Sequence, residues 1–197
     1  MRPFTVLTSA VVPLLAANID TDQIIPSQYV NVQGNAALAR ALFANRREDP
    51  SFVLNDPRMS GRSILLAGPN FGCGSSREAA AWALDAGGFR AVVAASFNET
   101  FANNCAKNGM LALAVPAQVH TRLAAAVAAD PEAALTIDLP GDRVTLAGTD
   151  IGFAPVVEPF VRDLLVRGMD ELAYLLDHGD AIADYEARRR APQGESA

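Results

Sequence analysis

The chain has 197 residues, 50% of them hydrophobic, a composition that can bury the core of one domain. Its formal net charge of −6 argues against a nucleic acid or an anionic membrane as the partner. The two cysteines, Cys73 and Cys105, are too few for a disulfide framework, so we expect a cytoplasmic location.

The first third of the chain alternates short apolar runs with polar turns. Residues 4–7 and 11–15 predict two short strands, with Pro13 indicating a sheet edge or a bulge. Residues 1–18 faintly resemble a secretory leader, but the prolines and polar residues that interrupt them favour a strand. The elements that follow are a polar turn at 18–22, a loop at 26–35 and a helix at 35–44. No run approaches the ~20 apolar residues that a membrane span requires.

Apolar and helical runs then alternate through the middle of the chain. The pattern predicts strands at 63–67, 90–95 and 110–115 and helices at 78–86, 98–108 and 117–129. His120 is expected on the surface of the last of these helices. This alternation is typical of right-handed parallel crossovers, so we expect an α/β fold with a mostly parallel central sheet.

The last third predicts a hairpin and three short helices. The hairpin strands at 136–139 and 144–146 flank a Pro-Gly-Asp turn. The helices are expected at 159–167, 170–176 and 181–190. Residues 1–190 are thus predicted to form one domain, followed by a disordered tail at 191–197.

Residues 68–78, Gly-Pro-Asn-Phe-Gly-Cys-Gly-Ser-Ser-Arg-Glu, join a predicted strand to a predicted helix. A turn that opens a helix collects unpaired N–H groups and the positive end of the helix dipole, so it favours an anion. Gly72 and Gly74 allow backbone angles or close approaches that a side chain would block. Ser75 and Glu78 have the spacing of a capping box, which predicts that the helix starts at this turn.

Three familiar motifs can be tested against this stretch by their spacing. A dinucleotide fingerprint would need glycine where Arg77 stands, and a Walker-type loop would need Gly-Lys at Cys73 and Gly74. A nucleophile elbow centred on Ser76 would need glycine at Glu78. All three fail. From the local pattern alone, a capped turn without chemistry remains an open interpretation.

Residues 70–78 resemble the Gly-Ser-Ser-Arg-Glu signature of the aconitase superfamily's swivelling domain, in particular the 3-isopropylmalate dehydratase small-subunit family. Upstream, residues 18–26 are similar to that family's Asn-x-Asp-Thr-Asp-x-Ile-Ile-Pro motif. Further similarities lie at 52–55, 82–84 and 180–186, in the same order along nearly the whole chain. The resemblance implies a swivelling β/β/α three-layer domain, in which the flanking β segments form a second layer.

The resemblance also implies a hydro-lyase that converts 2-isopropylmalate to 3-isopropylmalate through isopropylmaleate in leucine biosynthesis. This chemistry needs a base for a proton beside a carboxylate, binding of two carboxylates and a Lewis acid for the hydroxyl. The family's base matches Ser75. Its substrate contacts match Gly74, Ser76 and Arg77 in the signature, with Thr21 and Asp22 on the opposite rim.

The Lewis acid of this family is a [4Fe–4S] cluster, which needs several cysteines. Two separated cysteines cannot hold it, and we interpret Cys73 as a buried neighbour rather than a ligand. The resemblance places the cluster in a large subunit, so we expect this chain to bind no metal and to be inactive without that partner. A Ser-His-Asp hydrolase is an alternative enzyme class, but its candidate bases, His120 and His178, have no local support.

Two departures from the family pattern bear on the substrate. Ala79 follows the signature where the family usually has histidine, and residues 32–38 carry no charge where the family loop is usually basic. Arg40 or Arg46 could supply the missing cation. The alternatives are a related diacid hydratase, acting on citraconate, dimethylmalate or methylmalate, and a non-catalytic paralogue. The loop at 29–42 is expected to move when the subunits assemble.

Overall fold

The computed structural model describes residues 1–190, which form a seven-stranded sheet flanked by helices. The strands are β1 (Val6–Leu14), β2 (Ile64–Ala67), β3 (Ala91–Ala94), β4 (Leu111–Ala114), β5 (Ala134–Asp138), β6 (Arg143–Leu146) and β7 (Gly152–Phe153). The helices are α1 (Thr21–Ile24), α2 (Asn35–Ala41), α3 (Glu78–Ala86), α4 (Glu99–Lys107), α5 (Ala117–Ala129), α6 (Pro159–Arg167), α7 (Glu171–Asp177) and α8 (Gly179–Arg190). Within these residues, none of the helices combines the length and apolar character that crossing a membrane requires.

Strand β1 belongs to both halves of the sheet. Its first part pairs antiparallel with β5 from Val6 to Ala10, and its second part pairs parallel with β2 from Val11 to Leu14. The prediction of two separate strands was therefore wrong, because the chain continues without a break between them. Pro13 lies beyond the end of the β5 ladder, where β1 is paired on one side only, as proline in a strand favours.

The sheet is mixed and has the strand order β4-β3-β2-β1-β5-β6-β7. The pairings from β4 to β1 are parallel, which confirms the pairing predicted for the middle of the chain. The pairings from β1 to β7 are antiparallel, so the parallel character is confined to one half. The predicted hairpin continues the same sheet through β1, and β7 extends it beyond what the sequence indicated.

Side chains of the parallel strands alternate between two hydrophobic clusters on opposite faces of the sheet. In β2, Leu65 lies in the first cluster, whereas Ile64 and Leu66 lie in the second. The first cluster also contains residues of α2, α3 and α4, and the second contains residues of α5, α6, β5 and β6. Because β2 and β3 are buried on both faces, their continuous apolar runs are what a parallel sheet requires.

Most helix bounds agree with the sequence, and the exceptions have local causes. Helices α3, α5 and α6 have the predicted bounds. Helix α2 ends early at Ala41, because the chain leaves helical angles and Phe43 has a φ of +53°. His120 was expected on the surface, but it is half-buried, with Nε2 at 2.7 Å from the carbonyl oxygen of Ala67. The tail predicted at 191–197 lies outside the described residues.

Candidate active site

Helix α1 and residues 68–77, which we call the signature loop, meet at one edge of the sheet. Helix α1 comes after β1 and the signature loop comes after β2, and parallel strands bring their carboxyl ends to the same edge. The N–H of Gly72 donates to the carbonyl of Ile19 at 2.8 Å, and the N–H of Thr21 donates to the carbonyl of Cys73 at 3.0 Å. The main chain itself therefore fixes the two segments relative to each other.

Glycine is needed in the signature loop for two different reasons. Gly72 has a φ of +72°, and a Cβ added there would lie 2.2 Å from Cγ of Phe101. Gly74 has a φ of +87°, but a Cβ there would meet its nearest neighbour, Cβ of Asp20, at 3.3 Å. The expectation of a close approach is confirmed at Gly72, whereas Gly74 is favoured mainly by its backbone angle.

Two asparagines hold the corner between β1 and α1. Asn18 and Asn70 both have a φ of +57°, in the left-handed region that asparagine tolerates better than most residues. Nδ2 of Asn70 donates to Oδ1 of Asn18 at 2.8 Å, and the N–H of Asn18 donates to the carbonyl of Pro69 at 3.0 Å. Sequence reasoning gave neither residue a role, although asparagine in both motifs was the available signal.

Thr21 is buried and contacts Ser75, the predicted base. Oγ1 of Thr21 donates to the backbone carbonyl of Ser75 at 2.8 Å and lies 3.3 Å from Oγ of Ser75. The same carbonyl accepts the N–H of Arg77 at 2.9 Å. Because the Thr21 hydroxyl hydrogen serves the carbonyl, the Ser75 hydroxyl is the donor in the 3.3 Å contact. The backbone of Ser75 is thus held from two sides.

The carboxylate of Asp22 forms an ion pair with Nη1 of Arg77. The Arg77 side chain is 25% exposed and that of Asp22 is 54% exposed, so the pair borders solvent. Helix α1 is short but capped, because Oδ1 of Asp20 accepts the N–H of Gln23 at 2.8 Å. A guanidinium has five N–H donors, so the ion pair orients Arg77 and leaves donors for a second carboxylate.

The capping box predicted for Ser75 and Glu78 was wrong. Helix α3 begins at Glu78 with Arg77 at the N-cap position, and no described side chain caps it. The Glu78 carboxylate instead accepts Nδ2 of Asn108 at 3.1 Å. The N–H groups of Glu78 and Ala79 donate to no other described residue. Two main-chain donors at the positive end of this nine-residue helix are therefore available to an anion.

The predicted site residues come together at this edge of the sheet. Four of them form the two pairs described above. The other two, Gly74 and Ser76, are exposed on the signature loop, and the Ser76 side chain bonds to no described residue. Thr21, which the sequence placed at the rim, is instead buried beneath Ser75.

The two departures from the family pattern lie in different environments. Ala79 is only 7% exposed and belongs to the first hydrophobic cluster, so this departure changes packing below the site. The uncharged stretch at 32–38 runs into the first turn of α2, where Leu38 is buried and residues 33–36 are exposed. The second departure therefore changes an exposed surface.

The cysteines do not suit a [4Fe–4S] cluster. Cys105 is buried, and desolvation raises the pKa of its thiol, which opposes the thiolate that a cluster needs. Cys73 is half-buried rather than buried as expected. Within residues 1–190, no three His, Cys, Asp or Glu side chains group in a way that could hold a metal ion. The described residues therefore do not fit a cluster site of their own.

Comparison with protein-family models matches residues 1–118 to the aconitase C-terminal domain. The 3-isopropylmalate dehydratase small subunit of Solibacter usitatus is 45% identical over 193 residues, covering 98% of this chain and 97% of that protein. The protein of the same name from Acidothermus cellulolyticus is 44% identical over 191 residues, covering 97% of this chain and 96% of that protein. The chain belongs to the 3-isopropylmalate dehydratase small-subunit family.

A solved structure in this group shares the fold. The structure of 3-isopropylmalate dehydratase from Methanocaldococcus jannaschii superposes with a TM-score of 0.68 and 22% identity, covering 91% of this chain and 99% of that one. At this identity the likeness shows the fold alone, and it confirms the expected α/β class. The match to the aconitase C-terminal domain includes both α1 and the signature loop, the two segments that build the candidate site.

Proposed function

We propose that this chain is the small subunit of a 3-isopropylmalate dehydratase, which interconverts 2- and 3-isopropylmalate through isopropylmaleate in leucine biosynthesis. The observation that carries the proposal is the pair of contacts made by α1, from Thr21 to Ser75 and from Asp22 to Arg77. These contacts hold a hydroxyl and a guanidinium at the positive end of α3. Removal of a proton beside a carboxylate needs such a base next to such a carboxylate-binding group.

Ser75 is the base of the proposed reaction. Its Oγ takes the proton beside a substrate carboxylate and returns it in the reverse direction. The Thr21 hydroxyl lies 3.3 Å away and can rotate to donate to this oxygen when it carries negative charge. The free N–H groups and the dipole at the start of α3 add positive potential at the same place. Together they lower the free energy of the ionised serine.

Arg77 binds one carboxylate of the diacid, and Asp22 positions Arg77. A carboxylate repels an anionic substrate, so the ion pair favours a role for Asp22 through Arg77 over direct contact with substrate. Gly74 and Ser76 are exposed beside Ser75 and complete the substrate contacts on this chain.

The proposal assigns the [4Fe–4S] cluster to a large subunit. The described residues do not fit a cluster, and the predicted base is exposed, as expected where a second subunit completes the site. When bound, the cluster supplies Lewis-acid activation of the substrate hydroxyl. On this assignment the chain is inactive alone and acts in the cytoplasm as part of a heteromer.

The test of the substrate is an anaerobic hydration assay of this chain purified with its large subunit. Isopropylmaleate, citraconate, dimethylmaleate and cis-aconitate are offered in parallel, and we expect a clear preference for isopropylmaleate. Preference for a smaller diacid would contradict the leucine-pathway assignment and favour the citraconate or dimethylmalate type. No turnover of any diacid by a complex with an intact cluster would favour a non-catalytic subunit.

The test of the base compares Ser75→Ala with Ser76→Ala in the same complex. Loss of a general base lowers kcat by about 10²–10⁴-fold, so Ser75→Ala should fall in this range while the subunits still co-purify. Ser76→Ala removes the neighbouring hydroxyl of the same loop and should raise KM more than it lowers kcat. If the two variants have similar kcat values, Ser75 is not the base.

A further inference from the structure

A second guanidinium, that of Arg46, lies against α1, where it contacts Gln23, the residue that follows Asp22. Nη1 of Arg46 donates to Oε1 of Gln23 at 3.3 Å, and its guanidinium carbon lies 5.1 Å from the centre of the Phe52 ring. Phe52 is buried and packs on Phe43 at 5.6 Å between ring centres. Stacking on a fixed ring and one hydrogen bond orient the Arg46 guanidinium.

Helix α1 therefore links both guanidiniums to the candidate base. Its consecutive residues Thr21, Asp22 and Gln23 contact Ser75, Arg77 and Arg46 in turn. Gln23 is itself held, because its Nε2 donates to the carbonyl of Asn18 at 3.3 Å. The hydrogen bond of Arg46 thus ends on the same short element that positions Ser75 and Arg77.

The guanidinium of Arg46 has no carboxylate partner among the described residues. It forms no ion pair among the described residues, whereas seven arginines do: Arg2, Arg58, Arg62, Arg77, Arg122, Arg162 and Arg167. The pKa of Asp49 is lowered chiefly by hydrogen bonds from Ser51, and the charge of Arg46 contributes least to that shift. Arg46 is half-buried and has guanidinium donors beyond the one that Gln23 uses, so it favours a bound anion.

We propose that Arg46 binds the second carboxylate of the diacid substrate. This inference rests on the proposed function, because a malate-type diacid carries two carboxylates and Arg77 accounts for one. Arg46 would then supply the cation that the uncharged stretch at 32–38 lacks. Arg40, the other candidate from the sequence, is exposed on α2 and has no polar contact with α1 among the described residues.

The test uses the complex with the large subunit and the variants Arg46→Gln, Arg46→Lys and Arg40→Gln. Arg46→Gln should raise KM for the diacid by about 10- to 100-fold, with a smaller change in kcat, because it removes a charged hydrogen-bond donor to the carboxylate. Arg46→Lys should recover part of the loss, because it restores the charge without the fork. Arg40→Gln, the matched control, should change KM less than about twofold.

A second readout separates carboxylate binding from a structural role. Inhibition by a saturated diacid analogue is compared with inhibition by its half-amide, in which the second carboxylate is neutral. The wild type should prefer the diacid, and Arg46→Gln should lose that preference, which a general loss of folding would not do. An unchanged preference, or a defect in subunit assembly with unchanged KM, would overturn the assignment while the proposed function stands. A wild-type complex that turns over no diacid would overturn both.

Discussion

The signature loop and the segment at 29–42 are held in different ways. Backbone hydrogen bonds of the signature loop reach far along the chain, to Leu14, Ile19 and Ser96. Backbone hydrogen bonds within the segment at 29–42 join residues no more than four positions apart. The proposed base and Arg77 thus lie in the part that is bonded to distant segments of the fold. The locally bonded part includes the uncharged stretch at 32–38.

The largest effect is expected from Gly72→Ala, a substitution in the signature loop. A methyl group there would meet the Phe101 ring at 2.2 Å on a backbone with a φ of +72°. Overpacking and a left-handed non-glycine residue together cost about 2–4 kcal/mol in the free energy of unfolding. Urea unfolding of the isolated chain measures this cost. A loss below about 1 kcal/mol would mean that the loop moves away from Phe101 easily.

The next largest effect is expected at Asp22, which is linked to the signature loop by its ion pair with Arg77. Asp22→Ala releases Arg77 and should lower kcat/KM about 30-fold, while stability changes by less than about 1 kcal/mol because the pair borders solvent. Asp22→Asn keeps an oxygen for Arg77 and should retain most of the activity. If Asp22→Asn is as impaired as Asp22→Ala, the negative charge of Asp22 contributes to activity in some way other than by orienting Arg77.

A smaller effect is expected from Thr21→Val, which keeps the shape of the buried side chain and removes its hydroxyl. The carbonyl of Ser75 would lose one of its two donors, and the Ser75 hydroxyl would lose its acceptor. We expect kcat to fall about tenfold, as loss of one neutral hydrogen bond would give. Thr21→Ser restores the hydroxyl and should recover activity. If the two variants have equal activity, the Thr21 hydroxyl has no role in the reaction.

The sequence predicted the parallel half of the fold from local signals, and the candidate site residues that it proposed lie together in the structure. Buried strands such as β2 are continuous apolar runs, and the motifs themselves named Thr21 and Ser75. The antiparallel half of the sheet was missed because β1 pairs first with β5 and then with β2, and no break in the chain marks this change of partner. The motifs also could not show which residues bond to each other across about 50 positions, such as Asp22 and Arg77.

The start of α3 was also not predictable from the local sequence alone. Ser75 and Glu78 have the spacing of a capping box, yet the long-range bond from Thr21 to Ser75 holds the serine outside the helix, and Arg77 takes the N-cap position. A local motif was overridden by a tertiary contact. Arg46 is the converse case, because nothing local distinguished it from Arg40 until Gln23 and Phe52 were found beside it.

The smallest effect is expected from Gly34→Ala, the matched substitution in the segment at 29–42. Gly34 also has a positive φ, +84°, but a Cβ there would meet no atom within 4 Å. Only the backbone preference is lost, and the surrounding bonds are short-range, so we expect a cost of about 1 kcal/mol in the free energy of unfolding. The difference between Gly72→Ala and Gly34→Ala then isolates close packing from backbone angle. Equal costs would show that the two loops are held alike, contrary to the comparison.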